Sequence, residues 1–346
     1  MKIAGLGGPV IDILVRVDDA LLASHIRGEK GGMNKIGGAE QRRIIAALEQ
    51  AGCHPTYAIG GSAFNTVAAL THLGMKTSFI GKTGKDDNAE FFRKSYREIG
   101  GDCSSLKATG RSPSATVLCL VTPDSQRTMR SSLAASLLMR PADLSDADFA
   151  GVSHLHIEGY QFFNPKLVRH AVTMAARNGC TTSLDLASFE VVRRFRNELE
   201  EILDDVDIVF ANEDEAREFM NTQGDIAPKE ALEKFSRHCD ISVVKTGIDG
   251  AWIRRGGKTV HVDAQKTAAI DTTGAGDFWQ AGFLYGIFHG LSLKRSGELG
   301  ARLAAEVVGV LGAQLPDDVW TRLRHQAEAE TIDPKTESDR SAEQYE

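Results

Sequence analysis

The chain has 346 residues, with 47 acidic against 40 basic side chains and a net charge of −7. A composition of 42% hydrophobic and 25% charged residues excludes a disordered chain. The mild acidity, with basic residues scattered singly or in pairs, argues against nucleic-acid binding, and no stretch approaches the roughly 18 apolar residues of a membrane span.

The first apolar run, Ile3 to Val15, follows a single lysine, is interrupted by Asp12 and carries no small-x-small cleavage site. It reads as a buried first strand, not a signal peptide. Residues 13–40 are rich in charge, Gly and Met and show no clean period. Strands follow at 77–80, 154–157, 182–185, 207–210 and 241–244, with helices at 89–99, 165–178, 190–203, 213–220 and 229–238. Short apolar strands alternating with helices of about ten residues imply βαβ units and a largely parallel sheet. Residues 112–136 break that rhythm, alternating as strands do around a turn at Pro123-Asp124-Ser125, and predict a β-hairpin. The segments 13–40 and 112–136 are thus expected to form a small β-rich lid on a domain spanning 1–330, followed by a polar tail at 331–346. The five cysteines are odd in number and lack a C-x-x-C, so they read as reduced thiols of a cytoplasmic protein.

The most informative segment is Asp271-Thr272-Thr273-Gly274-Ala275-Gly276-Asp277, which opens an apolar helix. Small residues at Gly274, Ala275 and Gly276 expose backbone N–H groups at the positive end of the helix dipole, a site for a phosphate or a phosphoryl group in flight. Asp277, in the first turn, can accept a proton from a hydroxyl facing the same anion, and phosphoryl transfer needs both parts. Taken alone, the residues equally allow a tight turn with Asp277 as helix cap. A second motif, Gly60-Gly61-Ser62-Ala63-Phe64-Asn65 followed by a helix, lets the backbone approach a ligand and presents an amide that suits vicinal hydroxyls. Its plainer alternative is a helix capped by Ser62.

Both strings, in this order and about 200 residues apart, resemble the two signatures of the ribokinase-like (PfkB) family of carbohydrate and nucleoside kinases. The resemblance implies an α/β fold: a ribokinase-like three-layer α/β/α sandwich with a central, mostly parallel sheet and a small β-rich lid. It implies ATP and Mg2+ as co-substrate and cofactor, with Asp277 as base and Gly274, Ala275 and Gly276 as anion hole. Asp12, Gly61, Ser62 and Asn65 match its acceptor-binding positions, and a carboxylate inside an apolar strand is costly without a partner. Asn212-Glu213-Asp214-Glu215 resembles its N-x-x-E element, which implies Glu215 as a magnesium carboxylate acting partly through water; the alternative is a solvated acidic helix start. Lys245-Thr246-Gly247 falls where the family has T-x-G against ATP, with lysine in place of threonine, so Asn212, Lys245, Gly247 and Gly312 join Gly274 and Gly276 as ATP contacts. Asp271 and Thr273, with the Gly312 loop, are implied as a monovalent-cation site suited to K+.

Lys30-Gly31-Gly32-Met33-Asn34, Gln126-Arg127-Thr128-Met129 and Glu158-Gly159-Tyr160 resemble elements of the adenosine kinase branch, in which the arginine reaches toward the transferred phosphate. Arg127 is the candidate here; its alternative is an exposed hairpin arginine. The expectation is a monomeric or homodimeric kinase of a small-molecule nucleoside or sugar, adenosine first, with no nucleic-acid or membrane partner. A kinase of a free sugar (ribose, fructose or 2-keto-3-deoxygluconate) is the alternative acceptor reading, and a non-catalytic nucleotide-binding regulator the alternative from another class. The Gly5-Leu6-Gly7-Gly8 turn also suggests a nicotinamide site, but it lacks the third glycine and the following helix.

Overall fold

The computed structural model describes residues 1–26, 30–124, 126–222 and 228–332. In chain order these form β1 (Lys2–Leu6), β2 (Val10–Arg16), α1 (Asp19–His25), β3 (Met33–Lys35), α2 (Gly38–Gln50), β4 (Thr56–Gly60) and α3 (Ser62–His72). Next come β5 (Lys76–Thr83), α4 (Asp87–Glu98), β6 (Leu106–Ala108), β7 (Ala115–Val121), β8 (Arg127–Ser132), β9 (His154–Glu158), α5 (Pro165–Arg177), β10 (Thr181–Asp185) and α6 (Phe189–Leu203). The chain continues through β11 (Ile208–Asn212), α7 (Glu213–Met220), α8 (Pro228–Phe235), β12 (Ile241–Lys245), β13 (Ala251–Arg255) and β14 (Lys258–Val262). It ends in three helices, α9 (Ala275–Phe288), α10 (Leu293–Val307) and α11 (Asp317–Ile332). Thr331 and Ile332 close the last helix, and the rest of the expected polar tail lies outside the described residues.

Nine strands build the main sheet in the order β14-β13-β12-β11-β10-β9-β1-β5-β6. All neighbours from β12 to β6 are parallel, and only the β13–β14 hairpin at one edge runs antiparallel. Both faces are covered, which is why strands such as Ile208–Asn212 read as uninterrupted apolar runs. Helices α5 to α8 pack on one face around Leu155, Leu184 and Val209. Helices α3, α9, α10 and α11 pack on the other around Phe210, Val243 and Phe283.

A second sheet of five strands, in the order β3-β8-β7-β2-β4, sits over a third core made with α1 to α4 and centred on Phe64, Phe92 and Leu118. Both segments expected to form the lid contribute to it, as does β4. The single first strand expected at Ile3 to Val15 is in fact two, split at Gly7-Gly8-Pro9: β1 lies in the middle of the main sheet and β2 in the small one. Proline has no N–H for a ladder and the glycines allow the sharp turn, so the sheet change falls here. The irregular stretch before residue 40 hides helix α1 and the start of α2.

The two sheets meet at one pinned point. Glu158, at the end of β9 and 4% exposed, accepts hydrogen bonds from Gly8 N (2.7 Å), Ala63 N (3.0 Å) and Gln161 Nε2 (3.0 Å). Opposite it, Gly61 has φ +116°, and a Cβ there would collide with the carbonyl oxygen of Gly8. No other residue type fits that place without moving one sheet from the other. Removing the carboxylate in Glu158→Ala would orphan two buried N–H groups, so we expect a loss of about 3 kcal/mol in urea unfolding. Loss within experimental error would show that Glu158 does not hold the junction.

Candidate active site

Helix α9 is buried along most of its length, from Phe278 to Gly286, and its N-terminus opens at the junction of the two sheets. Its N-cap is Gly274, at φ +76°, with Ala313 packed where a side chain would stand. The N–H of Ala275 closes a turn on Thr272 O (3.2 Å), so of the three expected anion-hole residues Ala275 contributes no free donor. Free donors at the helix start are the N–H groups of Gly274, Gly276 and Asp277, as expected for the first turn of a helix.

Asp277 is not the helix cap. Its Oδ1 accepts from Ser62 Oγ and its Oδ2 from Asn65 Nδ2, both at 2.8 Å. Thr66 Oγ1 adds a bond to its carbonyl oxygen (3.1 Å), so α3 and α9 are locked together at their N-termini. Ser62 does not cap α3 either, since Gly61 holds that position. Burial, reinforced by the charge of Asp185, pushes the Asp277 carboxyl up to about 7, against the opposing pull of Asn65, Ser62 and Lys245. A carboxylate poised there switches protonation state near neutral pH. Ser62 and the Asn65 amide nitrogen, expected at the acceptor, are thus held by Asp277 in this structure.

Four parallel strands end in polar residues near this helix: Glu158 and Asp185 are paired across β9 and β10, and Asn212 and Lys245 across β11 and β12. Lys245 Nζ lies 3.3 Å from Asp185 Oδ1 and 3.1 Å from where a Cβ on Gly276 would be, which puts its ammonium at the mouth of the anion site. Burial alone would lower the Lys245 pKa, but Asp185, Glu215 and Asp277 outweigh it and keep the side chain charged. Asn212 caps α7 and forms a reciprocal box with Glu215: Glu215 N donates to Asn212 Oδ1 (2.9 Å), and Asn212 N and Nδ2 donate to the carboxylate (both 2.8 Å). Glu215 is 3% exposed, so it is no solvated helix start; burial and the charge of Asp185 raise its pKa.

Asp185, which the sequence reading did not single out, carries no hydrogen bond on Oδ2. A weaker form of the signal that marked Asp12, a carboxylate within a strand, would have found it. Hard carboxylate oxygens at Asp185 and Glu215 fit magnesium, with Glu215 acting through water because both its oxygens are engaged. Among the described residues no group of three or more His, Cys, Asp or Glu side chains forms a dedicated metal cage.

Asp12 lies inside β2, not at a strand end, and accepts no hydrogen bond from any described residue. Burial pushes its carboxyl up to about 6, with Arg127 pulling down and Asp271 pushing up. An unpartnered, half-buried carboxylate beside Gly60 calls for a ligand that donates hydrogen bonds. Gly247 stands in an open turn at φ +58°, followed by Ile248, which is 93% exposed.

The arginine differs from expectation. Arg127 is 9% exposed, and its Nη1 donates to Asp271 Oδ2 (2.9 Å) and to Thr273 Oγ1, while Nη2 contacts Cys119 Sγ at 3.0 Å. It is neither an exposed hairpin arginine nor free to reach a phosphate, because its guanidinium is held by the loop before α9. Asp271 also accepts from Gly312 N (2.7 Å) and Thr273 N (3.0 Å). Burial would raise the Asp271 pKa, but these donors and Arg127 hold it below the usual carboxylate range. The expected monovalent-cation site therefore does not fit: Asp271 and Thr273 already face a cation, and Gly312 offers Asp271 a donor.

A model of the pfkB family of carbohydrate kinases matches residues 35–320. In sequence, the chain is 26% identical to an uncharacterized sugar kinase of Archaeoglobus fulgidus over 259 residues, 71% of this chain and 96% of that one. It is 26% identical to a 5-dehydro-2-deoxygluconokinase of Listeria monocytogenes over 261 residues, 72% of this chain and 80% of that one. In structure, an adenosine kinase from Sinorhizobium meliloti superposes with a TM-score of 0.80 at 31% identity, covering 94% of this chain and 99% of its own.

The Asp277 geometry has a consequence for stability. Its pKa is raised from 3.8 to about 7 in the folded protein, so the native state holds that proton more tightly than the unfolded chain does. Stability is therefore lost as pH climbs from about 4 through 7, and the deficit is complete above that. Asp277→Asn removes the deficit. The variant should melt above the parent at pH 8, with the difference shrinking toward pH 4. A lower melting temperature at pH 8 would contradict the buried, raised carboxylate.

Proposed function

The chain belongs to the PfkB family of carbohydrate kinases, and within it we propose an adenosine kinase that transfers the γ-phosphoryl group of ATP to the 5′-hydroxyl of adenosine, giving AMP. The observation that carries the chemistry is a carboxylate poised near pH 7 in the same helix turn as three free N–H donors. Asp277 takes the proton of the acceptor hydroxyl as the oxygen attacks. The N–H groups of Gly274, Gly276 and Asp277 and the Lys245 ammonium meet the negative charge that spreads over the phosphoryl oxygens. Ser62 and Asn65 aim the carboxylate, and Asp12 binds the ring hydroxyls with its unpartnered oxygens. Asp185, at the end of β10, and Glu215, in the first turn of α7, would hold magnesium, which would draw charge from the phosphates. Gly247 and the exposed Ile248 face the ATP side, and the small sheet closes over the acceptor as a lid that keeps out water.

One observation supports adenosine over a free sugar. Large apolar side chains stand exposed on the turns after β8 and β9, with Leu137 at 50% and Phe163 at 37%, as a flat base requires. Burying on the order of 100 Å² of purine at about 25 cal/mol per Å² gives close to a hundredfold in affinity.

Two measurements test the reading. Asp277→Asn should lower turnover at least about a hundredfold, the scale of a lost general base, with ATP binding nearly unchanged. The kcat/KM of the parent should fall as pH drops below about 7, where Asp277 becomes protonated. Turnover of the variant within a few-fold of the parent removes Asp277 as base. In a panel of adenosine, ribose, fructose, 2-keto-3-deoxygluconate and 5-dehydro-2-deoxygluconate, adenosine should lead ribose by about a hundredfold in kcat/KM. A free sugar leading the panel would overturn the acceptor and leave the kinase standing.

A further inference from the structure

Arg127 begins β8 in the small sheet, yet its guanidinium is buried in the loop that leads into α9. It bridges Asp271 Oδ2 at 2.9 Å and the hydroxyl of Thr273, one residue before the N-cap Gly274. Its other face rests on Cys119, a thiol that burial and the charge of Asp12 push up to about 12, so this neighbour stays neutral. Every remaining polar contact on the Asp271 carboxylate is a donor, from Thr273 N and Gly312 N. The place where the family resemblance puts a loosely held monovalent ion is thus filled by a cation belonging to the chain.

We propose that Arg127 is the resident cation of the anion loop, so that this protein needs no monovalent metal ion. The guanidinium fixes the Asp271 carboxylate and Thr273, and through them the turn that presents the N–H groups of Gly274 and Gly276. One guanidinium nitrogen, Nη1, donates to both oxygen acceptors and so holds them in one geometry, which a hydrated ion in exchange with solvent does not. Arg127 acts as a positioning residue, through Asp271 and Thr273, and touches no reacting atom. Because it is carried by β8, the anion loop takes its shape only when the small sheet is docked.

The site rests on geometry alone; only the rate measurement below rests on the kinase reading. The first experiment is thermal melting, without nucleotide or acceptor, in potassium, sodium and tetramethylammonium chloride at equal ionic strength. The parent should melt at the same temperature in all three. Arg127→Ala, which empties the place beside Asp271, should melt at least about 2 °C higher in potassium than in tetramethylammonium. In the second experiment, initial rates with the best acceptor should be equal in the three salts for the parent. For Arg127→Ala they should be low in tetramethylammonium and rise saturably with potassium. A parent that is stabilised or activated by potassium overturns the proposal. So does a folded Arg127→Ala variant indifferent to the salt. Should that variant fail to fold, Arg127→Lys keeps a cation on the loop: salt-independent melting supports the proposal and a potassium requirement overturns it. A protein with no phosphotransfer to any acceptor would refute the kinase reading and leave the melting result to stand or fall by itself.

Discussion

A helix buried on nearly every side has only its end to offer, and the end of α9 is where the charges of this protein gather. Phe278 to Gly286 are all buried, so the N-terminus cannot tilt or fray without disturbing the core. In that setting free N–H groups attract an anion strongly, and the carboxylate of Asp277 is held near neutrality. The rest of the site balances this turn. Ser62 and Asn65 donate to Asp277, and Lys245 offsets the crowding of Asp277, Asp185 and Glu215. Three acidic side chains against one ammonium leave the site short of positive charge, which a divalent cation would supply.

The small sheet is tied to this centre in two different ways. At Gly8 and Gly61 the tie is backbone against backbone, clasped by the buried Glu158. At Arg127 it is a single ion pair reaching from β8 to Asp271, 144 residues away. The first tie is short, uncharged at the backbone and sterically exclusive. The second depends on one side chain.

How much of this was legible in the sequence follows from how local each signal is. The strands from β9 to β12 were plain because short β-branched or apolar runs alternate with long helices there. The β13–β14 hairpin was missed because an edge hairpin carrying Arg254 and His261 has no such run. Helix α2 was hidden because its glycine-led start lay in a stretch read as irregular. In the site, Asp277, Gly274 and Gly276 stood out because one seven-residue string holds base and anion cradle together. Asn65 was found, but its partner Asp277 lies 212 residues away, so nothing local showed that the two would bind each other. The partner of Arg127 was beyond reach for the same reason. Asp185 was within reach and overlooked: it ends a buried strand just as Asp12 interrupts one.

The placement of β1 bears on how the chain is made. β1 lies inside the main sheet, between β5 and β9, and pairs on one side with residues 154–157. Its second neighbour is therefore not made until β9, long after α3, the helix that packs on β1. For all that time β1 exposes an unpaired apolar edge. A chain with such distant contacts closes slowly and late, and its nascent form is the one most in need of a chaperone.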